Sequence, residues 1–233
     1  MLRVVSRAPC RPARHPAVLT NLRLRRIVRV LAADSRRHDP TTLEKCAPDP
    51  YRTLIACVIS LRTKDQVTDA AAGRLFALAR SPNAMLRLSD ARIARTIYPA
   101  GFYRVKAGQI LGISRALLAR HGGRVPADRD ALMALPGVGL KTANLVLGRA
   151  LGVPSICVDV HVHRISNRLG LVRTRTPEET EAALRRVLAR RLWVRWNGWL
   201  VGYGQRICQP VSPWCSRCRL RPQCPRRGVK RSR

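Results

Sequence analysis

The chain has 233 residues, with 45 Lys or Arg against 13 Asp or Glu, for a formal charge of +32. That length makes one large domain or two small ones and is enough to bury a core, and a hydrophobic content of 46% argues against wholesale disorder. No apolar run approaches the roughly 20 residues that span a bilayer, so a membrane protein is excluded; the charge implies an acidic partner, of which nucleic acid is the commonest.

Residues 1–21 carry Arg3, Arg7, Arg11 and Arg14, several prolines and no acid, and are expected to form a flexible basic extension. Such a stretch fits an Arg-rich organellar transit peptide, a bacterial extension or a misassigned start. From Leu22 onward the pattern is helical. Leu22–Ala33, Tyr51–Leu61 and Val105–Arg120 place apolar residues three and four apart. Thr63 with Gln66 reads as a capping box, and Thr176, Pro177 and Glu179 read as a second, with proline in the first helical position. Gly122, Gly123 and Gly170 are expected helix stops. No run alternates long enough to propose a sheet, so the fold class is all-α. The closing stretch 225–233, with Arg226, Arg227, Lys230, Arg231 and Arg233, is expected to be a solvated tail with non-specific phosphate contact as a secondary role.

Only five of the cations are lysines: Lys45, Lys64, Lys106, Lys141 and Lys230. Codon bias accounts for the ratio, but the places where lysine survives are informative. An amine can lose its proton and act as a nucleophile, whereas a guanidinium cannot. Of eight cysteines, Cys10, Cys46, Cys57 and Cys157 are scattered, while Cys208, Cys215, Cys218 and Cys224 form C-x6-C-x2-C-x5-C. No hydrophobic secretory core precedes them, so clustered thiols read as metal or cluster ligands rather than disulfides. Structural zinc usually pairs two short Cys knuckles and there is one here; an iron–sulfur cube tolerates unequal loops and is favoured, with zinc left open.

Two further motifs carry chemistry. In Leu135-Pro136-Gly137-Val138-Gly139-Leu140-Lys141-Thr142-Ala143, a helix expected over Arg129–Ala134 precedes the glycines and another over Thr142–Leu151 follows. The glycines allow a sharp turn whose amides, at a helix start, suit phosphate; an ordinary tight helix–helix turn explains the same string. Val158-Asp159-Val160-His161-Val162-His163-Arg164 then opens another helix. A lone Asp there is often only a cap. An antiparallel return could nevertheless bring Asp159 to the same mouth as Lys141. A neutral lysine with a nearby carboxylate suits glycosidic cleavage followed by imine chemistry, and burial of the lysine would assist it. His161 and His163 are read as DNA-facing or structural.

Together LPGVGLKTA, VDVHVHR and the four-cysteine spacing resemble the endonuclease III family, the helix-hairpin-helix DNA glycosylases and abasic-site lyases. The stretch PYRTLIACVISLRTKDQVTDAAAGRLF (50–76) resembles that family's first core helices. The resemblance runs from about Leu22 to Cys224. It implies two helical domains flanking a DNA groove: a six-helix domain over 43–153 with the hairpin, and a discontinuous one over 22–42 and 154–233 with the cluster. It implies Lys141 as Schiff-base nucleophile, Asp159 as its partner, and a [4Fe–4S] cluster on Cys208, Cys215, Cys218 and Cys224. DNA contacts fall to Gly137, Val138 and Gly139 of the hairpin, to His161, to Arg62 and to Phe102, placed where the family carries an apolar wedge. The alternative for Phe102 is a core aromatic.

The implied activity is removal of damaged, oxidised pyrimidines from duplex DNA, followed by β-elimination 3′ to the abasic site. The implied partner is damaged double-stranded DNA, met by a monomer. The implied location is the bacterial cytoplasm with the nucleoid, or an organelle or nucleus if the source is eukaryotic. Three positions depart from the family pattern. Arg62 replaces the usual Gln, which leaves the opposite-base preference open; Val160 replaces a common Thr; and the loop QPVSPW lacks basic residues, with Arg217 and Arg219 nearby. Mismatch glycosylases of the superfamily generally lack the hairpin lysine, whereas a pyrimidine-dimer glycosylase shares it. A non-catalytic helix-hairpin-helix DNA-binding protein is the alternative from another class.

Overall fold

The computed structural model describes residues 17–37, 46 and 49–233. The expected basic extension lies outside the described residues except at its end, where the backbone is already helical: α1 spans Ala17–Ser35 rather than starting at Leu22. Among the described residues ten more helices of defined extent follow: α2 (Pro50–Ser60), α3 (Asp65–Leu78), α4 (Pro82–Leu86), α5 (Asp90–Ile97), α6 (Tyr103–His121), α7 (Arg129–Met133), α8 (Leu140–Ala150), α9 (Val160–Arg168), α10 (Pro177–Val187) and α11 (Trp193–Arg206). Short 3₁₀ turns sit at Arg190–Leu192 and Arg221–Gln223. The all-α expectation holds, with no strand among the described residues. None of the described helices is long and apolar enough to cross a membrane.

Local chemistry explains most boundaries. Asp49, Ser81, Ser89, Asp128, Asp159 and Thr176 each precede a helix, and each side chain accepts a first-turn amide that would otherwise lack a partner. Gly122 (φ 56°) and Gly170 (φ 64°) end α6 and α9 in the left-handed region, as expected. The other expected capping box does not form. Lys64 precedes α3 with no side-chain cap, because Thr63 Oγ1 is engaged by the Gly101 amide and the Lys106 ammonium. Long-range partners outcompete a local cap.

The buried side chains form two clusters. The first gathers α2 to α8 around α2, whose Leu54, Ile55, Ala56, Val58 and Ile59 are fully enclosed. Cys46, Cys57 and Cys157 are buried there as free thiols. The second gathers Ile27 and Leu31 of α1, Val162 and Ile165 of α9, Leu184 of α10, and Trp196, Leu200 and Tyr203 of α11. The spacings of three and four in that last set put one apolar stripe of α11 inward. Helix α8 packs on both α2 and α11, so its two faces join the clusters.

The C-terminal stretch is not the free tail expected. Its side chains are exposed except for half-buried Val229, but the Arg233 backbone pairs with Ser216 and Pro213, and its guanidinium lies 4.1 Å from the Trp214 ring centroid. Arg217 stacks on the same ring at 4.8 Å. Backbone pairing of this kind cannot be read from a charged, apolar-poor sequence. Trp196 is completely enclosed at the centre of the second cluster. Trp196→Ala is expected to cost about 3–5 kcal/mol, seen as a lower denaturant midpoint in urea unfolding.

Candidate active site

Two helix starts define the site. The first is α8, reached through the glycine turn. Gly137 has φ 73°, a left-handed backbone that favours glycine, and its Cα faces the movable end of the Gln109 side chain on α6. Val138 is buried and its amide donates to Leu135 O at 3.1 Å, which commits its side chain and amide to the turn itself. Gly139 precedes α8 without a side-chain cap, so the first-turn amides keep their capacity for an anion. Lys141 stands in that first turn. It is exposed, which corrects the expectation of a buried lysine.

The second start is α9. Asp159 Oδ1 accepts from the amides of His161 (2.9 Å) and Val162 (2.8 Å). Asp159 is therefore a helix cap, and the cap fixes its carboxylate at the start of α9. Lys141 and Asp159, eighteen positions apart in sequence, line one cleft of about 530 Å³. Its other walls come from the end of α2 and the start of α3, including Ser60, Lys64 and Asp65, and from Asn197 and Gln205 of α11. A smaller recess of about 270 Å³ on the other side also includes both residues.

What fixes the two starts is buried and polar. The Asn144 side chain on α8 donates to Ile156 O at 3.1 Å and to Glu181 Oε2 at 2.7 Å, and Ser155 Oγ donates back to the Asn144 carbonyl. Glu181, 6% exposed, also takes Arg185 at 2.7 Å and faces Arg129 at 3.6 Å. Sequence inspection missed this network, because an Asn and a Glu in different helices carry no local signal.

The remaining candidates divide. His161 lines the cleft, with Arg164 Nη2 3.1 Å from its Nδ1. Burial, then the positive charges of Arg164 and Lys141, hold its pKa below the usual histidine value against the pull of Asp159, so the ring is neutral at pH 7. His163 is structural, bonded to Thr180 Oγ1 at 2.7 Å. Arg62 and Phe102 come together away from Lys141: the guanidinium lies 5.4 Å from the ring centroid. Phe102 is 60% exposed and not a core aromatic. Lys64, not singled out by sequence, places a second amine in the cleft.

Cys208, Cys215, Cys218 and Cys224 line one apolar cavity together with Trp214 and Ile207. Among the described residues, no group of three or more His, Cys, Asp or Glu is arranged to hold a metal ion; the thiols are distributed around the cavity wall. Several donors face the sulfurs. Arg168 Nη1 and the Arg226 amide each lie 3.4 Å from one, at Cys208 and Cys224, and the Tyr203 hydroxyl is 3.2 Å from that of Cys218. Such donors suit sulfur carrying negative charge.

A helical hairpin thus opens on a cleft beside two helical clusters. The family described as HhH-GPD superfamily base excision DNA repair protein matches residues 55–190. Endonuclease III of Thermotoga maritima is 48% identical over 176 residues, covering 76% of this chain and 83% of that protein. A non-covalent endonuclease III–DNA complex superposes with a TM-score of 0.79 at 33% identity, covering 88% and 95% of the two chains. A trapped endonuclease III–DNA covalent intermediate gives 0.72 at 36% identity, covering 76% and 84%. The chain belongs to the endonuclease III family within that superfamily, as a DNA glycosylase of base-excision repair.

The capping bonds of Asp159 and its charge can be separated. Asn caps a helix about as well as Asp, so Asp159→Asn should leave the melting temperature nearly unchanged while removing the charge. Asp159→Ala should cost about 0.5–2 kcal/mol of stability in a thermal melt.

Proposed function

We propose that this chain is a bifunctional glycosylase and abasic-site lyase acting on oxidised pyrimidines in duplex DNA, with Lys141 as nucleophile and Asp159 as its catalytic partner. The observation that carries the proposal is the shared cleft. A primary amine and a carboxylate from two helix starts face one opening, held there by the Asn144 network. A base must leave the stack before its sugar can be attacked, at a cost of a few kcal/mol, and the cleft is the space that receives it. The trapped covalent intermediate of the related protein supports an enzyme–DNA bond in this family.

The chemistry follows from those groups. The Lys141 amine adds to C1′ as the N-glycosidic bond breaks, and the departing base takes the bonding pair and a proton. The nitrogen lone pair then closes a C1′=N imine as the C1′–O4′ bond breaks and the sugar ring opens, O4′ taking that bonding pair and the second amine proton. Removal of a C2′ proton then expels the 3′ phosphate. The Asp159 carboxylate stabilises positive charge on the sugar and accepts protons. Because Lys141 is exposed in the free protein, bound DNA must supply the cover that removes water. Phosphate lies against the open amides at Gly139 and the start of α8. Arg62 and Phe102 enter the gap left by the flipped base, a device known for apolar wedges. The two clusters of buried side chains support a reading as two domains with the groove between them, although Cys157 packs in the first cluster.

We read the four thiols as the ligands of a [4Fe–4S] cluster, a reading supported by the cavity they surround and the donors that face their sulfurs. Bound there, it would tie the last loops to α9 and α11 and leave the reaction to Lys141 and Asp159.

Borohydride trapping tests the nucleophile. Duplexes carrying thymine glycol or an abasic site should give a covalent adduct that Lys141→Ala abolishes. Lys64→Ala, which removes the other cleft amine, should retain it. An adduct that survives Lys141→Ala, or none on either duplex, overturns the assignment. Protein purified anaerobically should be brown and hold about four iron atoms per chain; zinc without iron refutes the cluster.

A further inference from the structure

Lys106 takes no part in the cleft, yet it is only 3% exposed. Its ammonium donates to Ile59 O (2.7 Å), Leu61 O (2.5 Å) and Thr63 Oγ1 (2.9 Å). Three hydrogens meet three acceptors, so the cation is fully satisfied. Those acceptors are the end of α2 and the loop that carries Arg62. Burial draws the Lys106 pKa down to about 8, which leaves the ammonium in place at neutral pH.

The same hydroxyl ties in a second loop. Thr63 Oγ1 accepts from the Gly101 amide at 3.1 Å. Gly101 lies so near the first loop that an added Cβ would be 2.5 Å from Arg62 O. On either side of this junction stand two non-glycine residues in the left-handed region, Arg62 at φ 52° and Phe102 at φ 57°. Such conformations persist where the surroundings over-determine them. Their side chains project together as a guanidinium over an aromatic ring.

We propose that Lys106 is a positioning residue for DNA: its buried ammonium locks the Arg62 loop to the Phe102 turn, so that the two enter the duplex as one preformed tip. The proposal rests on the assignment of Arg62 and Phe102 as the residues that fill the gap. A flat ring takes the place of the missing base, and the guanidinium beside it offers donors to the base left opposite. Setting both during folding spares the protein their ordering when it binds. Lysine suits the position because three acceptors converge on one nitrogen, whereas the planar guanidinium fork is wider.

The test uses the full, iron-loaded chain with Lys106→Met, which keeps the apolar stem and removes the donors. Three readouts separate the roles. They are affinity for undamaged duplex, kcat/KM on a thymine-glycol duplex, and fluorescence of 2-aminopurine placed opposite a tetrahydrofuran abasic analogue, which rises when the tip enters. The substitution should lower turnover and weaken the 2-aminopurine response by about tenfold to a hundredfold, with undamaged-duplex affinity held within about twofold. Lys106→Arg should recover only part. In an Arg62→Ala/Phe102→Ala background, Lys106→Met should add no more than about twofold, because the tip it positions is gone. Equal effects in both backgrounds, or unchanged readouts, overturn the proposal. An Arg62→Ala/Phe102→Ala protein that inserts and turns over normally overturns the tip assignment instead. If Lys106→Met fails to fold, Thr63→Val removes the shared acceptor alone and should show the same pattern in milder form.

Discussion

The side-chain amide of Asn144 holds the two halves of the site at a fixed separation. It joins α8, which carries Lys141, to the segment that ends at Asp159, and it joins both to the Glu181 carboxylate on α10. The network is buried, where water cannot replace a lost partner, so each bond is worth more than on the surface and each loss costs more. Everything proposed for the chemistry depends on it. Two helix starts could open on one cleft in many arrangements, but only a rigid separation lets an amine and a carboxylate act on the same sugar.

The charge divides in a related way. Many arginines spend their forks on loop carbonyls rather than waiting for phosphate. Arg168 reaches Gln209 and Pro210 at 2.6 Å, Arg164 reaches Cys208 O at 2.9 Å, and Arg23 reaches Gln223 and Leu169. These bonds gather the last loops around the four cysteines. The lysines serve ends a guanidinium meets poorly. Lys141 and Lys64 bring free amines to the cleft, and Lys106 supplies a compact three-donor cation to a buried junction. In a chain so rich in arginine, three of the five lysines, Lys64, Lys106 and Lys141, stand where the shape or the proton of the cation matters.

The sequence legibly carried whatever is encoded over short spans. The helical class, the Thr176 cap, the Gly122 and Gly170 stops, and the cysteine array all rest on spacings of a few residues. The glycine turn before α8 was equally visible, because the left-handed backbone at Gly137 favours glycine. Local signals failed where a residue had a better partner far away. Thr63 looked like a cap and became the junction of two loops. The closing arginines looked like a solvated tail, and Arg233 pairs with the cysteine loop instead.

By itself, then, the sequence determined which groups are present and the helices that bear them: Lys141 and Asp159 at two helix starts, four thiols near the end, and a basic surface for DNA. Tertiary structure alone decided that the two starts share a cleft, that Lys141 is exposed there, and that Arg62 and Phe102 meet as one tip. The physical reason is that helix formation follows contacts three and four residues apart, whereas a site depends on buried polar bonds between helices. Asn144 to Glu181 and Lys106 to Leu61 have no periodicity to betray them, and they exist only once the cores have closed.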